Sequence, residues 1–207
     1  MKRVILNIAA AVGIAVLALC MSQPAGAAVV TIDFSTGGAG VGGTFTLNGS
    51  NASGLNIPIG DVTISGDPNA TFDTTYAITG GLLNFNTASG SPNITISGAI
   101  AGLSIASETL LSGTITSFTA NANGLQNASG PDTKAANFLT ALGLPTTTTF
   151  QLFGFSLTTT GVLNANNSDT VVSTDIRNTS TPEPGTLVMF GSGLLGLAGI
   201  IRRKLKA

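Results

Sequence analysis

Histidine and tryptophan are absent from the 207 residues, and the single cysteine is Cys20. Without histidine there is no Ser-His-Asp or Cys-His catalysis, no histidine-ligated haem and no zinc site built on imidazole. Cys20 lies inside an apolar leader, so residues 28–207 can form no disulfide. Charge is scarce as well, with eight Lys and Arg against nine Asp and Glu. Six of the eight bases sit near the chain ends, at Lys2, Arg3, Arg202, Arg203, Lys204 and Lys206. Residues 28–181 keep only Lys134 and Arg177 against eight acids, a net charge of −6. Two bases cannot neutralise a run of phosphates, so a nucleic-acid partner is excluded.

What the chain does have at each end is an address. Lys2 and Arg3 precede an apolar run from Val4 to Leu19, and Ala25-Gly26-Ala27 supplies a small-x-small cleavage site. Residues 1–27 therefore read as a signal peptide for Sec-type export, with cleavage after Ala27 and a new N-terminus at Ala28. The competing readings are an uncleaved anchor and a lipidated Cys20. The second is disfavoured by Leu19, since a small residue normally precedes a lipidated cysteine.

At the other end Pro182-Glu183-Pro184 is followed by an apolar stretch, Gly185 to Ile201, and then Arg202, Arg203 and Lys204. As a helix that stretch spans about 25 Å, slightly short of the hydrocarbon core, and terminal Arg and Lys side chains make up the difference. The basic end acts as a membrane stop and stays cytoplasmic, leaving the rest of the chain across the inner membrane. The two prolines fix φ and bias their preceding residues toward extended backbone, the form a protease-like cleft takes.

This tail, residues 182–207, resembles the PEP-CTERM sorting signal of Gram-negative bacteria. The resemblance rests on Pro182, Glu183 and Pro184, the Gly-rich span with Gly191, Gly193, Gly196 and Gly199, and the terminal basic cluster. It implies processing by exosortase, a membrane-embedded, cysteine transpeptidase-like enzyme. It also implies transient anchoring in the inner membrane, then delivery to the cell envelope or extracellular matrix, commonly with exopolysaccharide. It covers the tail alone and implies nothing about the activity of residues 28–181.

That passenger is rich in Thr, Ser, Gly and Asn with β-branched apolar residues, a strand-and-turn composition. Alternating segments are expected at 29–34, 43–47, 57–65, 70–79, 82–87, 93–97, 108–120, 149–158 and 170–176, with turns such as Asn48-Gly49 and Gly66-Asp67-Pro68 between them. The pattern predicts an all-β domain, a β-sandwich or jelly roll, with a β-solenoid as the alternative. One short helix is expected after Asp132 as N-cap, with Ala135, Ala136, Phe138, Leu139 and Leu142 as its apolar stripe and Gly143 and Pro145 ending it. It would lie as a lid over one end of the sandwich. Phe34, Phe45, Phe72, Phe85, Phe118, Phe150, Phe153 and Phe155 are the expected core aromatics.

No cofactor is expected, with calcium the one exception to weigh. Asp67, Asn69 and Asp73 place oxygen side chains at alternate positions, as calcium loops do, but Asp and Asn are also ordinary turn formers. The Gly37–Gly43 run lacks the lysine and following helix of a phosphate loop and reads as a flexible loop. Glu108, the one Glu of the passenger, has no marked carboxylate partner for glycoside hydrolysis and reads as a solvated strand-edge charge. No catalytic residue is assigned. The expected function is that of a non-enzymatic, exported envelope or matrix protein associated with exopolysaccharide; the alternative is a carbohydrate- or calcium-binding adhesin.

Overall fold

Alternation of buried and exposed residues at period two organises nearly every element of the domain. A computed structural model describes residues 29–66, 71–121, 124–161 and 167–181. The expected signal peptide with its cleavage residues Ala25, Ala27 and Ala28, the motif residues Pro182, Glu183 and Pro184, the expected membrane stop Arg202, Arg203 and Lys204, and the loop residues Asp67 and Asn69 lie outside the described residues. Among the described residues no helix is long and apolar enough to cross a membrane.

The described unit, Val29–Thr181, carries thirteen strands. They are β1 (Thr31–Ser35), β2 (Thr44–Asn48), β3 (Asn51–Pro58), β4 (Asp61–Ser65), β5 (Thr75–Ala77), β6 (Thr79–Asn86), β7 (Asn93–Ile100), β8 (Ile105–Gly113), β9 (Ser117–Ala120), β10 (Leu125–Gly130), β11 (Asp132–Lys134), β12 (Phe153–Thr159) and β13 (Asn167–Thr179). One wing runs β9-β10-β12-β13-β1-β4-β5 and the other β11-β8-β7-β6-β3-β2-β13. The last strand belongs to both. Its Asn167–Thr170 half pairs with β2, and its later residues pair with β12 and β1. Val172 and Ser173 are both exposed, a break in the alternation where the strand passes from one wing to the other.

The wings close on each other as a sandwich. Phe85 of β6 and Phe155 of β12 come from opposite wings and meet edge to face with centroids 5.1 Å apart. Phe45, Ile57, Leu83, Ile94 and Ile96 from one wing, and Ile32, Phe34, Val62, Phe153 and Ile176 from the other, are fully buried. Each such side chain contributes about 2 kcal/mol through burial. Among the described residues every strand pairing is antiparallel. A solenoid stacks its coils in parallel, so the sandwich stands and the solenoid alternative does not.

Segments that read as single strands turn corners between wings. The 57–65 stretch divides at Ile59-Gly60, with β3 in one wing and β4 in the other. Gly60 donates its N–H to the carbonyls of Ser35 and Thr36, and a Cβ there would lie 2.5 Å from the Thr36 carbonyl oxygen. The 108–120 stretch divides at Thr114–Thr116 into β8 and β9. Only Thr75–Ala77 and Thr79 of the expected 70–79 segment are strand among the described residues. Phe72, Phe118 and Phe150 are half-buried rather than core, while Phe138 is fully buried.

The helix, α1, runs Ala136–Ala141. Its Phe138 packs on Phe34 of one wing with centroids 6.0 Å apart, and Asn137 donates to Glu108 on β8 of the other. Gly143, at φ +69°, follows its C-terminus as expected. Asp132 is not its N-cap. That residue opens β11, and the cap position is Ala135, which makes no side-chain capping bond.

Candidate functional site

The outward face of the β9-β10-β12-β13-β1-β4-β5 wing is built from the residues that alternate with its core. On β1, Ile32 and Phe34 point in and Asp33 points out; on β13, Ile176 is buried while Asp175 and Arg177 are exposed. Antiparallel register sets these side chains in two polar rows across the sheet. One row runs Thr119, Asn127, Ser156, Asp175, Ser35, Asp61; the other runs Ser117, Ser129, Gly154, Arg177, Asp33, Thr63. Gly154 leaves a gap in the second row. A shallow groove of about 450 Å³ lies there, lined by Ser117, Thr119, Asn127, Ser129, Ser156 and Asp175.

Asp33 lies directly across from Arg177 and diagonally across from Asp175. Burial pushes the Asp33 carboxyl up to about 7, the neighbouring Asp175 carboxylate adds to the effect, and Arg177 opposes it. The acid thus retains a proton far above the usual carboxylate range. One oxygen of Asp33 is buried and without a hydrogen-bond partner among the described residues. This pair was not picked out from sequence. The available signal was local: Asp175 and Arg177 are two apart on a strand, hence on one face, but the approach of Asp33 from 142 positions earlier was not visible.

The residues singled out from sequence fall elsewhere. Glu108 is half-buried on β8 and accepts a hydrogen bond of 3.0 Å from Asn137, with its second oxygen buried and unpartnered among the described residues. It is therefore held against α1 rather than solvated at a strand edge. Its hydrogen-bond partner is thus an amide and not a second carboxylate. Of the calcium trio, Asp73 is exposed in the connection between β4 and β5, and Asp67 and Asn69 lie outside the described residues. Among the described residues no group of three or more Asp, Glu, His or Cys is arranged to hold a metal ion. In the Gly37–Gly43 loop, a turn of 3₁₀ helix at Gly37–Ala39 points the Gly38 N–H at Asp61. A carboxylate already occupies the place an anionic ligand would take.

No curated protein and no solved structure matches the chain. Residues 180–204 match the family of the PEP-CTERM protein-sorting motif. The match takes in Pro182, Glu183 and Pro184, the apolar stretch and Arg202, Arg203 and Lys204. The chain thus carries, at its C-terminal end, a PEP-CTERM protein-sorting motif, the mark of export and of membrane-linked sorting through the tail.

Proposed function

We propose that this is a non-enzymatic protein of the cell envelope or extracellular matrix, exported through a signal peptide at residues 1–27 and processed at its tail by an exosortase-type enzyme. The observation that carries the reading is the sorting motif at residues 180–204. After processing, the sandwich remains outside the inner membrane in association with exopolysaccharide. The lack of histidine, and of cysteine beyond Cys20, supports a structural role. Replacing Pro182, Glu183 and Pro184 together by Ala tests the reading. The variant is exported but accumulates in the inner membrane with its tail, whereas the parent, in a host with the matching exosortase, loses the tail and leaves that fraction. Equal masses and equal fractions for both would make the tail a plain anchor.

A second reading, a carbohydrate-binding adhesin, is favoured by the groove over Gly154. Its Ser, Thr and Asn side chains and the Asp175 carboxylate offer the donors and acceptors that sugar hydroxyls require. A glycan array with and without calcium separates the two readings, since a purely structural protein gives no calcium-dependent or sugar-selective signal.

A further inference from the structure

We propose that Lys134 and Asn178 become joined by an isopeptide bond, formed within the folded domain with Asp132 as the proton-transferring group and ammonia as the product released. Lys134 ends β11, the edge strand of one wing. Asn178 lies near the end of β13, where that strand belongs to the opposite wing. The Lys134 Nζ donates to the Asn178 Oδ1 at 2.7 Å, so the amine sits against the carboxamide, whose carbon is one bond further on. Asp132 touches both partners. Its Oδ2 accepts from the Lys134 Nζ, and its Oδ1 accepts from the Asn178 Nδ2 at 2.6 Å. A single carboxylate therefore spans the nucleophile and the group that must leave.

The surroundings suit covalent chemistry better than a permanent ion pair. The side chains of Asp132 and Lys134 are wholly shielded from solvent, Asn178 is buried, and the Phe150 ring lies 4.5 Å from the Lys134 Nζ. Burying two charges costs desolvation that their attraction seldom repays, and apolar replacements are often as stable or more so. Yet the one lysine of residues 28–181 is placed here. Burial lowers Lys134 to about 8 and raises Asp132, against the opposing pull of their mutual attraction. Both shifts favour the neutral amine and neutral acid, the forms that proton transfer from Lys134 to Asp132 produces.

The steps balance without any co-reactant. A proton passes from the Lys134 Nζ to Asp132, and the freed amine attacks the Asn178 Cγ. The Asp132 carboxyl then gives that proton to the Asn178 nitrogen and takes a second proton from Nζ. The Cγ–Nδ2 bond breaks as the carbonyl re-forms, and ammonia leaves. One carbon–nitrogen bond is made and one is broken, nothing is oxidised or reduced, and Asp132 ends as a neutral acid. Two buried charges thereby disappear. An amide is inert to a free amine in water, but fixed proximity supplies effective concentrations of roughly 10⁵–10⁸ M. The bond would clamp the last strand, four residues before Pro182, to the opposite wing, as a disulfide does in a chain with cysteine to spare.

Mass spectrometry of the purified full chain, denatured, tests this directly. The parent is expected to be lighter by one ammonia, beyond the substitution's own difference, than Asp132→Asn, which keeps the shape of the site but cannot shuttle the proton. Trypsin should leave Lys134 uncut in the parent and yield a fragment in which Lys134 is joined to Asn178. Asn178→Asp, if it reacts, loses water in place of ammonia, whereas Asn178→Ala stays unlinked and is cut at Lys134. A parent with no ammonia deficit and with Lys134 cut overturns the proposal. So does a deficit that maps to a succinimide at Asn48-Gly49. The decisive map is read on the parent, so it does not depend on any variant folding.

Discussion

Phe85 and Phe155 meet at 66° between ring planes, the one on β6 and the other on β12, and no pairing joins these two strands. The contact joins the two wings across the core, and Gly54 makes room for it. A Cβ at Gly54 would come within 2.2 Å of the Phe85 ring. Phe85→Ala is therefore expected to cost about 3–5 kcal/mol by emptying this space. Gly54→Val should be comparably harmful by overfilling it. Urea unfolding monitored by circular dichroism measures both; losses below about 1 kcal/mol would mean the wings do not depend on this contact.

Stability should fall as the pH rises from about 4 to about 7. Asp33 holds its proton up to about 7 when folded and near the ordinary 3.8 when unfolded. The folded state binds more protons in that window, so raising the pH removes a preference for folding. Asp33→Asn keeps the shape and cannot ionise. It should flatten this slope and stabilise the protein at pH 8 by on the order of 1 kcal/mol, a figure reduced for the partial exposure of the site. Unfolding curves for both proteins at pH 5 and pH 8 check it, and an equal slope in the variant assigns the pH dependence elsewhere.

A clamp between Lys134 and Asn178 spans a sequence separation of 44. Closing a loop of that size restricts the unfolded chain by about 4 kcal/mol on the chain-entropy argument used for disulfides. Asn178→Ala should then lower the melting temperature by on the order of 10 °C. Reductant should not change the melting of the parent, because residues 28–207 hold no cysteine. Calorimetry with and without dithiothreitol measures both effects.

No retention of DNA or RNA is expected from the sandwich, even at low salt. Lys134 is buried in its ion pair and Arg177 stands beside Asp33 and Asp175. A free basic stripe is needed to displace counterions. A clear mobility shift at moderate salt would show an interface that this charge balance does not contain.

The sequence alone determined the features that depend on local pattern. The three-part tail, the turn at Asn48-Gly49 with Gly49 at φ +62°, and the helix ending at Gly143 are all written in neighbouring residues. So is the alternation that makes the domain all-β. Tertiary structure decided which wing each strand joins. At Ile59-Gly60 the buried positions change phase, from Ile57 and Ile59 to Val62 and Ile64, but a phase slip does not say that the chain has left one sheet for the other. It also reassigned Asp132. Before a helical stripe an aspartate reads as a cap, but two residues before Lys134 on a strand it shares that residue's face. Which of the two applied depended on the pairing of Asp132–Lys134 with Leu111–Gly113 and on Asn178 arriving from the far end of the domain. Burial of a charged cluster is a long-range outcome of this kind: it exists only once strands distant in sequence have closed around it.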